Sequence, residues 1–329
     1  MALEVRYAIL TKWRIAGVVL IIAAGAAWFG YQRIFGAPVR QAERVQFIIP
    51  VGEKGVEERL AEEGFIRSTW AFHYALQRER GSIKPGGYEL SKAMNVWEIA
   101  RTLTRAPALV WVTIPEGLRK EETAEILAAA LGWSKEEKEK WVSTYTAMKY
   151  EYVEGVYFPD TYLIPVAEKP FDVAERLRKN FEAKFAPFVE EALKQNIKWD
   201  TVVKIASLLE REAAGSHDMP LIAGIIWNRL LLGMRLEIDA TLQYARGDIG
   251  RGWWAPIMPQ DKQIDSPYNT YKYKGLPPHP IANPGLAAIN AVLHPEETYC
   301  LFYLHDRQKV IHCAKTYDEH KQNIETYLR

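Results

Sequence analysis

The chain has 329 residues, with 42 Lys and Arg against 41 Asp and Glu, 48% hydrophobic residues and 25% charged ones. Such values belong to a folded globular chain long enough for two domains. The formal net charge of +1 gives no basic field and argues against nucleic acid as a partner. Two cysteines, Cys300 and Cys313, are too few for a disulfide framework or a zinc site, and 11 Trp with 17 Tyr tilt weakly towards a ligand that stacks on aromatic rings.

Residues 13–29 are apolar except for Arg14 and carry a tryptophan at each end. This stretch reads as a retained membrane anchor behind a short tail, together residues 1–34. The bulky Trp28, Phe29 and Tyr31 that follow the apolar run fit a cleaved signal peptide less well. Arg6, Lys12 and Arg14 precede the span and Arg33, Arg40 and Arg44 follow it, so basic residues leave its orientation open. A strand over 45–50, helices around 52–63 and 68–80 and a strand near 87–90 then give a β-α-α-β order, that of a small LysM module. Such a module holds a glycan or merely sets a distance from the membrane, and the spacer is the safer reading. A helix over 95–105 and a strand over 109–114 complete a subdomain of residues 42–114 and lead into Pro115-Glu116-Gly117.

From 120 to about 150 the chain is predicted helical and highly charged, with Ser134 and Glu137 as a capping box. An aromatic strand-turn segment over 153–165 and an amphipathic helix over 171–196 follow. Asp200 as N-cap and Gly215 as terminator then bound one short helix. On it Val202, Ile205, Leu209 and Ala213 form an apolar stripe, with Lys204, Ser207 and Arg211 on the opposite face. Glu210 and Glu212 stand at the borders of that stripe. A carboxylate there, beside small alanines, is partly desolvated, which raises its pKa and suits a general acid. Spacing alone favours the plainer reading of two helix glutamates paired with Lys or Arg.

Residues 219–232 form a strongly apolar helix ending in Asn228 and Arg229, a polar pair that braces a neighbour, lines a site or simply closes the helix. The segment Gly275–Gly285 is too rich in Pro and Gly for regular structure, and a long ordered loop of this kind usually has a function. Trp253-Trp254 reads as a surface loop or flap. A helix over 286–293, a hairpin over 300–313 and a helix over 318–328 close the chain. A two-residue turn at Asp306-Arg307 would set Cys300 opposite Cys313 for a cross-strand bridge; a longer turn would break that register, and two free thiols stand equal to the bridge. The chain has no glycine-rich phosphate loop, no His-Glu-x-x-His and no Gly-x-Ser-x-Gly, and its histidines lack metal-ligand spacing.

Five segments occur together and in order: Ala206-Ser-Leu-Leu-Glu210-Arg-Glu212, Asn228-Arg229-Leu230, Asp239-Ala-Thr-Leu-Gln243-Tyr244, Ser266-Pro-Tyr268-Asn269-Thr270-Tyr271 and Gly275-Leu-Pro-Pro…Asn283-Pro-Gly285. With Ile114-Pro-Glu-Gly117 and Glu154-Gly…Tyr157-Phe-Pro-Asp-Thr-Tyr162 they resemble the MltG (YceG-like) family of endolytic murein transglycosylases over nearly the whole chain. The resemblance implies an α+β fold: a single transmembrane helix, a small LysM-like subdomain, and a larger catalytic domain over 115–329. It implies a bacterial cytoplasmic-membrane protein with its body outside, cutting nascent peptidoglycan strands without a cofactor or metal, near synthases of the elongation machinery. By the same resemblance Glu210 is the single acid/base. Glu212 and Arg229 are supporting groups, and Asn228, Gln243, Tyr244, Tyr268, Asn269 and Thr270 are candidates for the glycan cleft. Asp239 is the candidate second carboxyl, which would turn the reaction to hydrolysis. A non-catalytic glycan-binding scaffold is the remaining alternative.

Overall fold

The computed structural model describes residues 2–147 and 153–329, without the side chains of 2–12, 14 and 15. The basic side chains Arg6, Lys12 and Arg14 and the last residues of the predicted 120–150 helix therefore lie outside the described part. The chain divides into two compact units, Met1–Trp111 with Leu163–Ala167, and Val112–Tyr162 with Glu168–Arg329.

In the first unit, α1 (Ala2–Phe35) contains an apolar stretch, Ala16–Phe35, long enough to cross a membrane, and it is not buried within the protein. Strand β1 (Arg44–Ile49) pairs antiparallel with β2 (Gly86–Ser91), with Phe47 opposite Tyr88, and the sheet order is β1-β2-β3-β4, where β3 is Leu109–Thr113 and β4 Thr161–Pro165. Between β1 and β2 run α2 (Val56–Glu62) and α3 (Thr69–Glu79), and α4 (Val96–Thr104) follows β2. This is the β-α-α-β order expected. The caps are local and strong: Ser68 accepts from Ala71 N, and Asn95 forms a capping box with Glu98. Phe47, Ile49, Leu60, Phe72, Leu90 and Ile99 meet in one core between sheet and helices.

The second unit is mainly helical. The predicted charged helix is two helices, α5 (Lys120–Leu131) and α6 (Lys135–Lys140), because Gly132 turns left-handed at φ 71° and Ser134 starts a new capping box with Glu137. A π-type turn over Trp141–Tyr145 follows α6. Helix α7 (Pro170–Lys194) packs on α8 (Trp199–Glu212), which also contacts α9 (Met219–Leu231), α10 (Asp239–Arg246) and α11 (Leu286–Leu293).

Two expectations for α8 fail. Its N-cap is Lys198, and Asp200 lies in the first turn, 3.1 Å from Lys204. The helix also stops before Gly215: Ala213 is extended, and the carboxylate of Asp218 collects the N–H groups of Ala214 and Gly215 at 3.0 and 3.2 Å. With neighbours on so many sides, α8 has no broad solvated face. Ser207, expected there, is fully buried, donates to Lys204 O at 2.7 Å and accepts from Ile281 N at 3.0 Å.

The chain ends in the hairpin β5 (Phe302–His305) and β6 (Ile311–Ala314), with α12 (Tyr317–Tyr327) against it. The turn runs from Asp306 to Val310, so Cys313 faces Tyr303 and the two-residue register does not occur. Cys300 and Cys313 are nevertheless bridged, with Cα atoms 5.8 Å apart, because Cys300 lies outside the strand and is free of its ladder. The bridge closes a loop of 13 residues in sequence separation, worth about 3 kcal/mol by loop entropy. Replacing both cysteines by serine is expected to lower the urea midpoint accordingly, and an unchanged midpoint would show that the hairpin is held by its packing alone.

Candidate active site

Glu210 occupies the last turn of α8, half-buried. Its Oε1 accepts the N–H of Gly285 at 2.8 Å, and Gly285 is the N-cap of α11, so the carboxyl faces the positive end of that helix. Gly285 has ordinary extended angles, and the Glu116 carboxylate lies against its Cα, in the space a Cβ would take, so a larger residue there would displace that side chain. Gly117, in the left-handed region at φ 74°, packs beside the Glu210 Cβ. Two carboxylates thus converge on Gly285, one on the helix and one on the exposed Pro115-Glu116-Gly117 turn.

Burial pushes the Glu210 carboxyl up to about 7. The charge of Glu116 adds to that shift, while the Gly285 N–H and the Arg211 guanidinium pull against it. Near neutral pH such a group both gives and takes a proton. Arg211 does not close on Glu210: it donates to Gly117 O at 3.3 Å and lies 3.9 Å from the centre of the Trp254 ring.

The Pro-Gly-rich loop is ordered by Asn283, which is fully buried. Its backbone accepts from Gly117 N and donates to Leu118 O, each at 2.9 Å. Its side chain accepts from Tyr157 N at 2.9 Å and donates to Leu118 O at 3.0 Å and to Glu154 at 2.9 Å. Glu154 is itself fully buried, and burial pushes it up to about 8, with the charge of Glu121 adding to the shift. It accepts from Lys120 N at 3.0 Å and from the Tyr244 hydroxyl at 3.4 Å.

The predicted residues divide. The Tyr244 and Tyr268 rings lie tilted at 42° with centres 4.8 Å apart, and the buried Arg119 lies 4.3 and 4.2 Å from the centres of the Tyr244 and Trp253 rings. Trp253-Trp254 is therefore no free flap: both rings carry an arginine, and Trp254 donates to Glu122 at 2.9 Å. Asn228 donates to Thr298 O at 2.7 Å and to Cys300 O at 3.3 Å, and Arg229 to Leu301 O and Leu236 O at 2.5 and 2.7 Å. Gln243 holds Trp254 O and Ala255 O at 3.0 and 3.2 Å. Asn269 ties Lys262 O and Ile264 O, while the Thr270 hydroxyl accepts from Ile238 N. These five side chains brace loops.

Glu212 takes the hydroxyl of Tyr303 at 2.7 Å, a hairpin residue outside the motifs, and burial raises its pKa. Asp239 takes the hydroxyl of Tyr271 at 2.5 Å and shares with Glu212 a recess of about 370 Å³ that Arg229 and Phe302 also line. The carboxylate set beside Glu210 is Glu116, not Asp239. Sequence reasoning passed over Glu116, Gly285, Arg119 and Glu154 as functional groups. Glu116, Gly285 and Glu154 carry the signal of membership in the short Pro-Glu-Gly, Asn-Pro-Gly and Glu-Gly matches; Arg119 lies outside every match and carries none.

A family model described as the YceG-like family matches residues 47–326. The chain is 29% identical over 333 residues to an endolytic murein transglycosylase of Bacillus subtilis (strain 168), covering 94% of this chain and 91% of that one. To the endolytic murein transglycosylase of Streptococcus pneumoniae serotype 2 it is 26% identical over 353 residues; this covers 94% of the chain but only 64% of the pneumococcal protein's length. A crystal structure of a yceG-like protein from Listeria monocytogenes superposes with a TM-score of 0.60 at 27% identity, covering 86% of this chain and 99% of that one.

Two outcomes follow from the charges. Glu116→Gln removes a like charge, so the Glu210 carboxyl is expected to titrate below its value of about 7, read by carbon-detected NMR of labelled glutamate. No movement would mean that solvent screens the pair. Glu154 is protonated in the folded chain up to about pH 8 but ionises near 4.5 when unfolded. The folded state therefore holds the extra proton, and stability falls as pH rises through that window, by on the order of a few kcal/mol. Thermal melts at several pH values should show this fall flattened in Glu154→Gln; an equal fall in both proteins would place the titration elsewhere.

Proposed function

The chain belongs to the YceG-like family, and from that premise we propose that it cleaves nascent peptidoglycan strands internally with Glu210 as the acid and base. It is a lytic transglycosylase, a lyase acting on peptidoglycan, as its curated relatives are named endolytic murein transglycosylases. The observation that carries the role of Glu210 is a half-buried carboxyl with its pKa raised to about 7 that, among the described residues, is held by one backbone N–H alone.

Protonated Glu210 gives its proton to the oxygen of the β-1,4 bond between N-acetylmuramic acid and N-acetylglucosamine as the C1–O bond breaks. The carboxylate so formed takes the proton of the muramic 6-hydroxyl while that oxygen bonds to C1, giving the 1,6-anhydro end and restoring the acid. No water is consumed, so a single carboxyl suffices. Positive charge develops at C1 in between, and the neighbouring charge of Glu116 favours it electrostatically. The substrate's 2-acetamido group is a further stabiliser.

Helix α1 is read as a retained anchor, with the catalytic unit outside the membrane. Its 20-residue span Ala16–Phe35, apolar but for Gln32 and Arg33 near its end, covers about 30 Å, the thickness of a bilayer core. The Cys300–Cys313 bridge fits an oxidising compartment. The β-α-α-β part of the first unit is read as LysM-like, and synthases of the elongation machinery as partners.

Hydrolysis is the second reading, and it now rests on Glu116. Asp239 is committed to Tyr271 beside Glu212, whereas Glu116 adjoins Glu210. Mass spectrometry of products from uncrosslinked strands decides between them. Internal cuts with 1,6-anhydro ends are expected from the wild type. Glu210→Gln should lose about 10²–10⁴-fold of the rate. Reducing ends would make water the nucleophile and Glu116 its base. Binding without products from either folded protein would return the chain to a glycan-holding scaffold.

A further inference from the structure

Helix α3 carries apolar groups on two sides. Ala71, Phe72 and Ala75 enter the core of the first unit, while Trp70 remains 64% exposed and Tyr74 lies on the surface beside it. The two outer rings stack at 5.9 Å and meet Phe35, the last residue of α1, at 6.0 and 6.3 Å. Trp97 stacks on Phe35 at 5.9 Å and donates its indole N–H to the hydroxyl of Tyr31 at 2.9 Å. We propose that Tyr31, Phe35, Trp70, Tyr74 and Trp97 form a seat in the headgroup layer of the bilayer that α1 crosses, holding the first unit on the membrane surface. This rests on reading α1 as an anchor.

The depth argument is geometric. If Ala16–Phe35 fills the hydrocarbon core, Phe35 marks its edge, and rings centred about 6 Å away lie within the interfacial layer. No slack intervenes. The helix runs unbroken to Phe35, Gly36 N closes on Gln32 O at 3.0 Å, and Arg67 donates to Gln32 O and Pro38 O at 3.2 and 2.9 Å. The chemistry agrees with the place. Trp and Tyr, with an apolar body and one polar tip, prefer the interface, and basic side chains next to them meet phosphate headgroups. Arg33 and Arg67 are exposed beside the cluster, and Arg78 donates to Tyr74 at 2.8 Å. A soluble unit would gain nothing by leaving an indole in water beside its core.

The test uses the full chain in vesicles of phosphatidylcholine and phosphatidylglycerol, with one nitroxide-labelled cysteine at a time and the native bridge left oxidised. Labels go at Trp70, at Ile21 inside the span and at Val51, exposed in the same unit but outside the cluster. Tyr74→Cys is a second reporter should the loss of Trp70 loosen the cluster. Collision with oxygen is compared with collision with a water-soluble nickel chelate. The expected ratio at Trp70 and Tyr74 is shifted from the aqueous value of Val51 towards the lipid value of Ile21. Ile21 in lipid with both cluster labels aqueous overturns the seat and leaves the anchor standing. An aqueous Ile21 overturns the anchor and the seat with it. Cluster labels that are aqueous but become shielded on adding glycan strands would make the rings a sugar platform and also overturn the seat.

Discussion

The second unit's candidate chemistry depends on one buried amide. Asn283 uses both ends of its side chain and both ends of its peptide to fasten three segments far apart in sequence: the Gly117-Leu118 turn, the Glu154–Tyr157 stretch and its own loop. Buried backbone groups such as Tyr157 N–H and Gly117 N–H would otherwise lack these partners, at a cost of about 1–3 kcal/mol apiece. The clasp therefore orders a loop that its Pro and Gly content would leave irregular. It also fixes the two things Glu210 responds to, the N–H of Gly285 and the carboxylate of Glu116.

Three glutamates of the second unit have raised pKa values, and the shift alone does not distinguish them. Glu154 is displaced furthest of the two with values, to about 8, against about 7 for Glu210. Yet the oxygens of Glu154 are spoken for by Lys120, Asn283 and Tyr244, and those of Glu212 by the Tyr303 hydroxyl and the Ala240 N–H. A carboxyl saturated by its own protein has nowhere to send a proton. Glu210 alone among the three combines a neutral pKa with partial exposure and a single protein donor, the properties acid–base catalysis requires.

What was legible in the sequence follows the range of the interactions. Caps at Ser68, Asn95 and Ser134 are settled within four residues, so the helices at Ser68 and Asn95 and the capping box at Ser134 are legible, though the break before Ser134 is not. Asp200 is a good cap in isolation, but the chain turns helical two residues earlier, from Lys198, and spends the acid on Lys204. Ser207 was put on a solvated face because periodicity describes one apolar stripe, whereas α8 has neighbours on several sides. Glu116 beside Glu210 was invisible for a stronger reason. Their meeting depends on the fold of a third segment, the loop through Asn283, and no spacing encodes it. The motif polar residues were found as a group, but most of them, including Asn228, Arg229, Asn269 and Thr270, brace loops.

The tryptophan pair explains how a neutral carboxyl coexists with an adjacent arginine. A guanidinium in contact with Glu210 would favour its charged form and draw the pKa down, as paired carboxylates show. Arg211 is next in sequence, about 100° further round α8, and its charge acts on that carboxyl without contact. Its guanidinium lies over the Trp254 ring, at 3.9 Å, with Gly117 O as its acceptor. Trp254 is in turn held by Glu122 through its indole N–H, and its backbone by Gln243. The ring face satisfies the cation electrostatically without neutralising it. Arg211 thus contributes a modest opposing charge rather than a salt bridge, and burial with Glu116 outweighs it. A segment that looks like an ornament in the sequence thus seats the neighbouring cation away from the acid.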